Sequence, residues 1–272
     1  MPLELRDAEV AFGGGLLGRR RNLALAGVSL ALDPGPAETL AIVGESGSGK
    51  TTLTRLLLGL LRPTSGRVLW RGRDLHALRG QDLAEYRRGV QAIFQDPFGA
   101  FNPVYRVDRM LILPARRFGL AANEEEARAL AEQALGAVGL RAAETLGRYP
   151  HQLSGGQRQR LMVARAMMLR PRVIVADEPV SMVDASLRAT ILGALHLLRQ
   201  GGGVSLVYVT HDLTTAWQLA DRVMVMRHGR VVEQGDVEQV IGRPAHPYTR
   251  ALLDAVPPAM PDPDWLDRED AA

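Results

Sequence analysis

The chain has 272 residues, 46% of them hydrophobic, enough to bury the core of one domain with an appended lobe or of two small domains, so disorder is excluded as a description of the whole. Its 33 basic residues stand against 30 acidic ones, a net charge of only +3, and local clusters such as Arg19-Arg20-Arg21 and Arg116-Arg117 read as solvated loop charges or contacts to an acidic partner rather than a nucleic-acid face. The chain has no cysteine, which removes disulfides, thiolate zinc sites, cysteine-held iron–sulfur clusters and cysteine nucleophiles together.

No apolar run approaches the roughly 18 residues of a membrane-spanning helix. The best, Leu56 to Leu61, is interrupted by Gly59. The opening Met1-Pro2-Leu3-Glu4 has neither the basic start nor the apolar segment of a signal peptide, so the polypeptide is expected to stay in the cytosol.

In chain order, Leu3 to Phe12 and Ala24 to Asp33 read as strands joined by the glycine-rich loop Gly13 to Gly18. A short strand, Thr39 to Val43, runs into Gly44. A helix follows over Leu53 to Leu61, ended by the turn Pro63-Thr64-Ser65-Gly66. Arg67 to Trp70 and Val90 to Phe94 are further strands, with Leu75 to Arg88 helical between turns. From about Asp96 to Arg170 helix-period segments such as Glu124 to Val138 dominate, which predicts a helical subdomain set into an α/β core. The run Val173 to Asp177 is nearly all apolar, as a central parallel strand requires, and Val204 to Thr210 and Arg222 to Met226 repeat it. Arg227-His228-Gly229-Arg230 reads as a hairpin turn, and the proline- and aspartate-rich segment after about Pro257 is expected to be disordered.

Between a predicted strand and a predicted helix stands Gly44-Glu45-Ser46-Gly47-Ser48-Gly49-Lys50-Thr51, a phosphate-loop pattern in the context that motif requires. Glycines let the backbone wrap a phosphate with its N–H groups, Thr51 and Thr52 close the loop, and the helix that follows adds its positive end. Lys50 is the only lysine in the chain. A protein that otherwise carries its positive side-chain charge on arginine has placed one compact ammonium where a phosphate needs it. In such a site Lys50 reaches the outer phosphates of ATP and Thr51 offers its hydroxyl to Mg2+.

A carboxylate element closes the Val173 strand at Asp177-Glu178. Alone it is weak, since many strands end in an aspartate that caps a helix; after a phosphate loop, Asp177 suits Mg2+ and Glu178 suits the attacking water. Leu153-Ser154-Gly155-Gly156-Gln157 starts a helix running to about Leu169, about twenty residues before that strand, and its N–H groups face an anion that approaches the helix start.

Together these residues resemble the ATP-binding subunits of ABC transporters, over Leu3 to about Asp254. The resemblance implies a P-loop NTPase core, a mostly parallel sheet with an antiparallel β subdomain, formed by residues 1–95 and 171–256. It implies an inserted α-helical subdomain at 96–170 and a tail at 257–272. It further implies that Ser154, Gly155, Gly156, Gln157 and Asp184 act in trans on ATP held by another subunit's phosphate loop. Phe12 corresponds to the aromatic that stacks on adenine, Gln95 to the Q-loop glutamine that also meets Mg2+, and His211 to the switch histidine. Ser181-Met182-Val183-Asp184 departs from the expected Ser-Ala-Leu-Asp, with apolar volume preserved.

The segment His246-Pro247-Tyr248-Thr249-Arg250-Ala251-Leu252-Leu253 is similar to the C-terminal signature of the oligopeptide, dipeptide and nickel importer branch. Some members carry a cysteine-held iron–sulfur centre near this end, which this chain lacks. The implied partners are a second ATP-binding subunit, two membrane permeases and, indirectly, an extracytoplasmic solute-binding protein, on the cytoplasmic face of the membrane and without nucleic acid. Nucleic-acid maintenance ATPases share the motifs, but they separate them by long coiled coils that are absent here. An accessory ATPase of a soluble complex, of the carbon–phosphorus lyase type, is a second alternative, and a nucleotide-binding regulator without turnover is a third, against which Glu178 and His211 argue.

Overall fold

Strands that are nearly all apolar must be covered on both faces, and the order of the elements supplies that cover. The computed structural model describes residues 3–13, 22–32, 37–181 and 183–256. Four expectations fall outside them: the Gly14 to Gly18 loop, the Arg19-Arg20-Arg21 cluster, the Met182 departure and the 257–272 tail.

The first half of the chain forms β1 (Leu3–Phe12), β2 (Asn22–Ala31), β3 (Thr39–Val43), α1 (Lys50–Leu57), β4 (Ser65–Trp70), β5 (Arg73–Asp74), α2 (Gly80–Gly89), β6 (Val90–Ile93), α3 (Asp108–Arg117) and α4 (Glu124–Ala137). The second half forms α5 (Ala142–Thr145), α6 (Gly155–Met168), β7 (Val173–Asp177), α7 (Ala185–Gly202), β8 (Ser205–Val209), α8 (Leu213–Leu219), β9 (Arg222–Arg227), β10 (Arg230–Asp236), α9 (Val237–Val240) and α10 (Pro247–Asp254).

One sheet has the order β10-β9-β3-β8-β7-β6. It is parallel throughout except for β10, which returns antiparallel to β9. All residues of β3, β7 and β8 are buried, as apolar central strands should be. The second sheet, β2-β1-β4-β5, is antiparallel. Both tight hairpins use two residues with positive φ, Arg71-Gly72 (51° and 77°) and His228-Gly229 (47° and 75°), the geometry that suits the right-handed twist of the flanking strands.

The apolar face of α1 is sandwiched between the sheets: Leu53, Leu56 and Leu57 share a core with Ile42, Val175 and Val207 on one side and with Val10 and Leu25 on the other. The helical segment makes a second core, in which Leu111, Ala131, Leu135 and Leu161 pack with Ile93, Ile174 and Tyr208 of the parallel sheet. The lobe and the sheet therefore share one continuous apolar contact.

Some boundaries differ from the sequence reading. Helix α1 begins at Lys50, inside the phosphate loop, and ends at Leu57 rather than at the Pro63 turn. The cause is Gly59, which takes a left-handed φ of 65° while the amides of Gly59 and Leu60 fold back onto the carbonyls of Leu56 and Arg55. The predicted helix from Leu75 to Arg88 is two pieces. A single 3-10 turn at Leu75–Ala77 is capped by Asp74, and α2 follows after Arg79, which is extended. Strand β2 begins at Asn22, two residues early, and stops at Ala31.

Candidate nucleotide site

The parallel strands put four predicted motifs at one edge. Gly44 follows β3, Gln95 lies just beyond β6, Asp177-Glu178 closes β7 and His211 lies just beyond β8; these strands include the neighbours β3, β8, β7 and β6 in that order. Ligands in open α/β sheets bind at this carboxyl edge.

The phosphate loop is held by its glycines and by the β9–β10 turn. Gly44 has φ 147°, and a Cβ there would sit 2.2 Å from the Met226 carbonyl oxygen, so no side chain fits. Gly49 has φ 105°, and its Cβ would lie 2.7 Å from the Ala24 carbonyl oxygen. The Ser48 amide donates to the Glu45 carbonyl (3.2 Å), and the Gly229 amide donates to the Ser48 carbonyl (2.9 Å). Inside this frame Lys50 Nζ donates to the carbonyls of Gly44 (2.6 Å) and Glu45 (2.8 Å). Burial lowers the Lys50 pKa, opposed by the nearby Glu178, Asp177 and Glu45 carboxylates. Ser48 Oγ is buried with no hydrogen-bond partner.

Asp177 is buried, and its pKa is raised by that burial and then by Glu178, against the pull of Lys50, the Thr51 hydroxyl and Arg55. A buried acid in this state is a place that a cation would relieve. Glu178 adopts a left-handed φ of 45°, a strained conformation for a glutamate, with its amide donating to the Val209 carbonyl (2.9 Å). Both of its carboxylate oxygens are engaged: Gln95 Nε2 donates to one (2.8 Å), and His211 Nδ1 lies 2.9 Å from the other. Such strain persists only where the surroundings over-determine it, and these two contacts fix the Glu178 side chain.

These groups face a cleft of about 630 Å³ lined by Ser46, Gly47, Gly49, Lys50, Thr51, Thr52, Gln95, Asp177, Glu178 and His211, with Asn22, Leu23, Ala24, His228 and Gly229 as the other wall. The remaining predicted loop residues, Gly44, Glu45 and Ser48, are not among the residues that line it. Phe12 is the last residue of β1, paired with Asn22 of the cleft wall, and its ring is 45% exposed. Gln95 sits on Glu178 rather than on Thr51 or Asp177.

Ser154 is the N-cap of α6 in a capping box: its hydroxyl accepts from the Gln157 amide (3.2 Å), and the Gln157 side-chain oxygen accepts from the Ser154 amide (2.9 Å). The amides of Gly155 and Gly156 start the helix and so have no intrahelical carbonyl to receive them. Among the described residues, neither Ser154 to Gln157 nor the exposed Asp184 lines the cleft of its own subunit.

Two parts of the site escaped sequence reasoning. Gln159 is fully buried, its Nε2 donating to the carbonyls of Pro179 (2.9 Å) and Phe94 (3.3 Å), which tie α6 to the loops that carry Glu178 and Gln95. The available signal was its place four residues before Val163 and seven before Ala166, on the buried stripe of α6. The wall from Asn22 to Ala24 and His228-Gly229 carries no motif and is brought to the cleft only by the fold.

Comparison with known proteins agrees with this geometry. The ABC transporter family pattern matches residues 25–181. A pattern described as the C-terminal region of oligopeptide/dipeptide transporters matches residues 232–270. The oligopeptide transport ATP-binding protein OppF of Salmonella typhimurium is 41% identical over 241 residues, 89% of this chain and 71% of that protein. The dipeptide transport ATP-binding protein DppF of Escherichia coli is 45% identical over 88% of this chain and 70% of its own length. The dimeric ATP-binding cassette MJ0796, in a post-hydrolysis state bound to ADP and phosphate, superposes with a TM-score of 0.77 at 29% identity, covering 86% of this chain and 98% of that one. With its phosphate loop and carboxylate pair facing one cleft on this fold, the chain belongs to the ABC transporter family, as an ATP-binding, ATP-hydrolysing subunit.

Proposed function

We propose that the chain is the motor of an importer of peptides or a related small solute, working with a second ATP-binding subunit and two permeases on the cytoplasmic face of a membrane, supplied by an extracytoplasmic solute-binding protein. Among the described residues no helix is long and apolar enough to cross a membrane, so translocation falls to other chains. Residues 1–95 and 171–256 form the motor core, and 96–170 form the lobe that presents Ser154 to Gln157.

The observation that carries this reading is the convergence of Lys50, Asp177, Glu178, Gln95 and His211 on one cleft while Ser154 to Gln157 lies outside it. In this mechanism Lys50 leaves the carbonyls of Gly44 and Glu45 for the outer phosphates of ATP, and the loop amides from Gly47 to Thr52 receive the phosphate oxygens. Glu178, fixed by Gln95 and His211, orients the water that attacks the γ-phosphorus, giving ADP and phosphate. Ser154 to Gln157 and Asp184 of the second subunit cover the nucleotide from the other side, and Phe12 at the rim stacks on the adenine.

The donor set fits Mg2+. Thr51 offers a hydroxyl and Asp177 a buried carboxylate in want of a cation. Among the described residues no group of three or more acidic or histidine side chains forms a dedicated metal cage. That suits an ion which takes one or two protein ligands and completes its shell with water and phosphate. When bound, Mg2+ neutralises charge on the transferring phosphoryl group.

The test is reconstitution of the chain with its permeases and second ATPase in liposomes. ATP hydrolysis is expected to rise when solute-binding protein loaded with a short peptide is added. ATPase activity that follows a soluble enzyme complex instead, with no permease recovered, would favour the accessory-ATPase alternative.

A further inference from the structure

The His246 to Leu253 segment plays no part in the chemistry above, yet it reaches the phosphate loop. Helix α10 starts at Pro247 with His246 as its N-cap, and Glu233 of β10 holds that start in place. The Glu233 carboxylate accepts from the amides of Ala245 (2.7 Å) and His246 (3.1 Å) and from the Thr249 hydroxyl. Burial would raise the Glu233 pKa, but these hydrogen bonds prevail and hold it below the usual carboxylate range. So anchored, α10 buries Tyr248, which remains only 6% exposed.

The Tyr248 ring lies beneath the Arg227 guanidinium, 4.7 Å from it, at the end of the strand whose turn walls the cleft. Its hydroxyl oxygen accepts the Glu45 amide at 3.1 Å. The carbonyl of the same residue accepts from Lys50 Nζ at 2.8 Å. Glu45 is therefore gripped at both ends, its N–H by the C-terminal helix and its C=O by the lysine.

We propose that Tyr248 is a positioning residue of the nucleotide site, which sets the path of the phosphate loop at Glu45 and thereby couples the C-terminal segment to ATP affinity. The inference rests on the assignment of that loop as the phosphate binder. With two of its three N–H donors on loop carbonyls, the ammonium has one left for a phosphate, and turning fully to the outer phosphates of ATP releases the Glu45 carbonyl. Among the described residues the Tyr248 hydroxyl is then the remaining side-chain hydrogen bond to the Glu45 backbone, beside the Ser48 amide on its carbonyl, and it keeps the loop open for the phosphates to enter. Arg227 and Glu233 act one step further out, by placing the phenol.

Tyr248→Phe removes the hydroxyl and keeps the ring, its burial and its contact with Arg227. Within the assembled transporter, the KM for ATP is expected to rise roughly threefold to tenfold, the range a single hydrogen bond covers. The kcat is expected to stay within about twofold, and the melting temperature of the purified subunit within about 2 °C, by the same reasoning that packing is untouched. Lys50→Ala is the parallel arm: if it binds Mg-ATP as well as wild type, the assignment of the phosphate loop itself fails. If Lys50→Ala loses binding while Tyr248→Phe matches wild type in KM, the loop stands and the role of Tyr248 is overturned. A fall in kcat and melting temperature along with the rise in KM would mark Tyr248 as merely structural and also overturns it. Hydrogen exchange on the unmodified protein gives a readout independent of any variant: the Glu45 amide is expected to be protected without nucleotide, and ready exchange there contradicts the contact.

Discussion

The phosphate loop and the start of α6 are both glycine-led helix N-termini, and they are finished in opposite ways. At α1 the N-cap is Gly49 in a left-handed conformation, with no side chain capping the helix. Around it Ser48 Oγ lacks a partner, Lys50 is folded back onto loop carbonyls, Asp177 is a buried acid and Glu178 is held with positive φ. At α6 the cap is a reciprocal pair made by Ser154 and Gln157. The difference teaches where each ligand comes from. A loop with an unpartnered hydroxyl, a strained glutamate and a buried acid around its own cleft suits a ligand bound in that cleft, whereas the α6 start caps itself through Ser154 and Gln157 outside the cleft, as the proposed role toward a second subunit's nucleotide requires.

Substitutions on the two sides should separate these roles. The largest effect is expected from Lys50→Ala, which should weaken Mg-ATP binding by at least about a hundredfold, the worth of two charge-assisted hydrogen bonds. Calorimetry checks this, and retained affinity would erase the contrast. Between the two regions lies Gln159, and Gln159→Leu leaves the carbonyls of Phe94 and Pro179 without their shared donor. The expected loss is about 1–3 kcal/mol in denaturant unfolding, with turnover reduced more than ATP binding. An unchanged turnover would show that α6 and the Glu178 loop act separately.

Ser154→Ala should cost about 1 kcal/mol of stability through the lost cap. It should slow turnover while first binding of ATP to the isolated subunit is unchanged; weakened first binding would place α6 in its own subunit's site. The smallest effect on stability is expected at Asp177. Because its folded pKa is raised, the group favours the fold fully at pH values below the ordinary carboxylate pKa, and that contribution is lost as pH rises through the raised value. Asp177→Asn should therefore raise the melting temperature of the nucleotide-free protein at pH 7 and lose that advantage on acidification, while hydrolysis is abolished. A melting temperature lowered at pH 7 would mean that the attraction to Lys50 outweighs burial.

The sequence made the near-edge chemistry legible because it is local. The phosphate loop and the carboxylate pair each occupy consecutive residues beside an apolar run, and the structure places them where β3 and β7 end. What stayed hidden depends on distance along the chain. Nothing near Asn22 to Ala24 or His228 says that these residues wall the cleft, since the fold alone brings them to it. The early end of α1 follows from the left-handed turn at Gly59, where the periodicity of Leu56 to Leu61 still reads as helix. Gln159 was missed although it stands on the buried stripe of α6, because its acceptors at Phe94 and Pro179 are set by the fold. The segment that contains Tyr248 stood out by resemblance, but the contact of Tyr248 with Glu45, some two hundred residues away, did not.

The central claim is that the strained Glu178, fixed by Gln95 and His211 opposite Lys50, activates water against ATP bound in this cleft. Phosphate release from Mg-ATP, measured side by side for wild type and Glu178→Gln, tests it most directly. The account predicts that the variant binds Mg-ATP as wild type does but releases phosphate at least about a hundredfold more slowly. Hydrolysis by Glu178→Gln at the wild-type rate would contradict it.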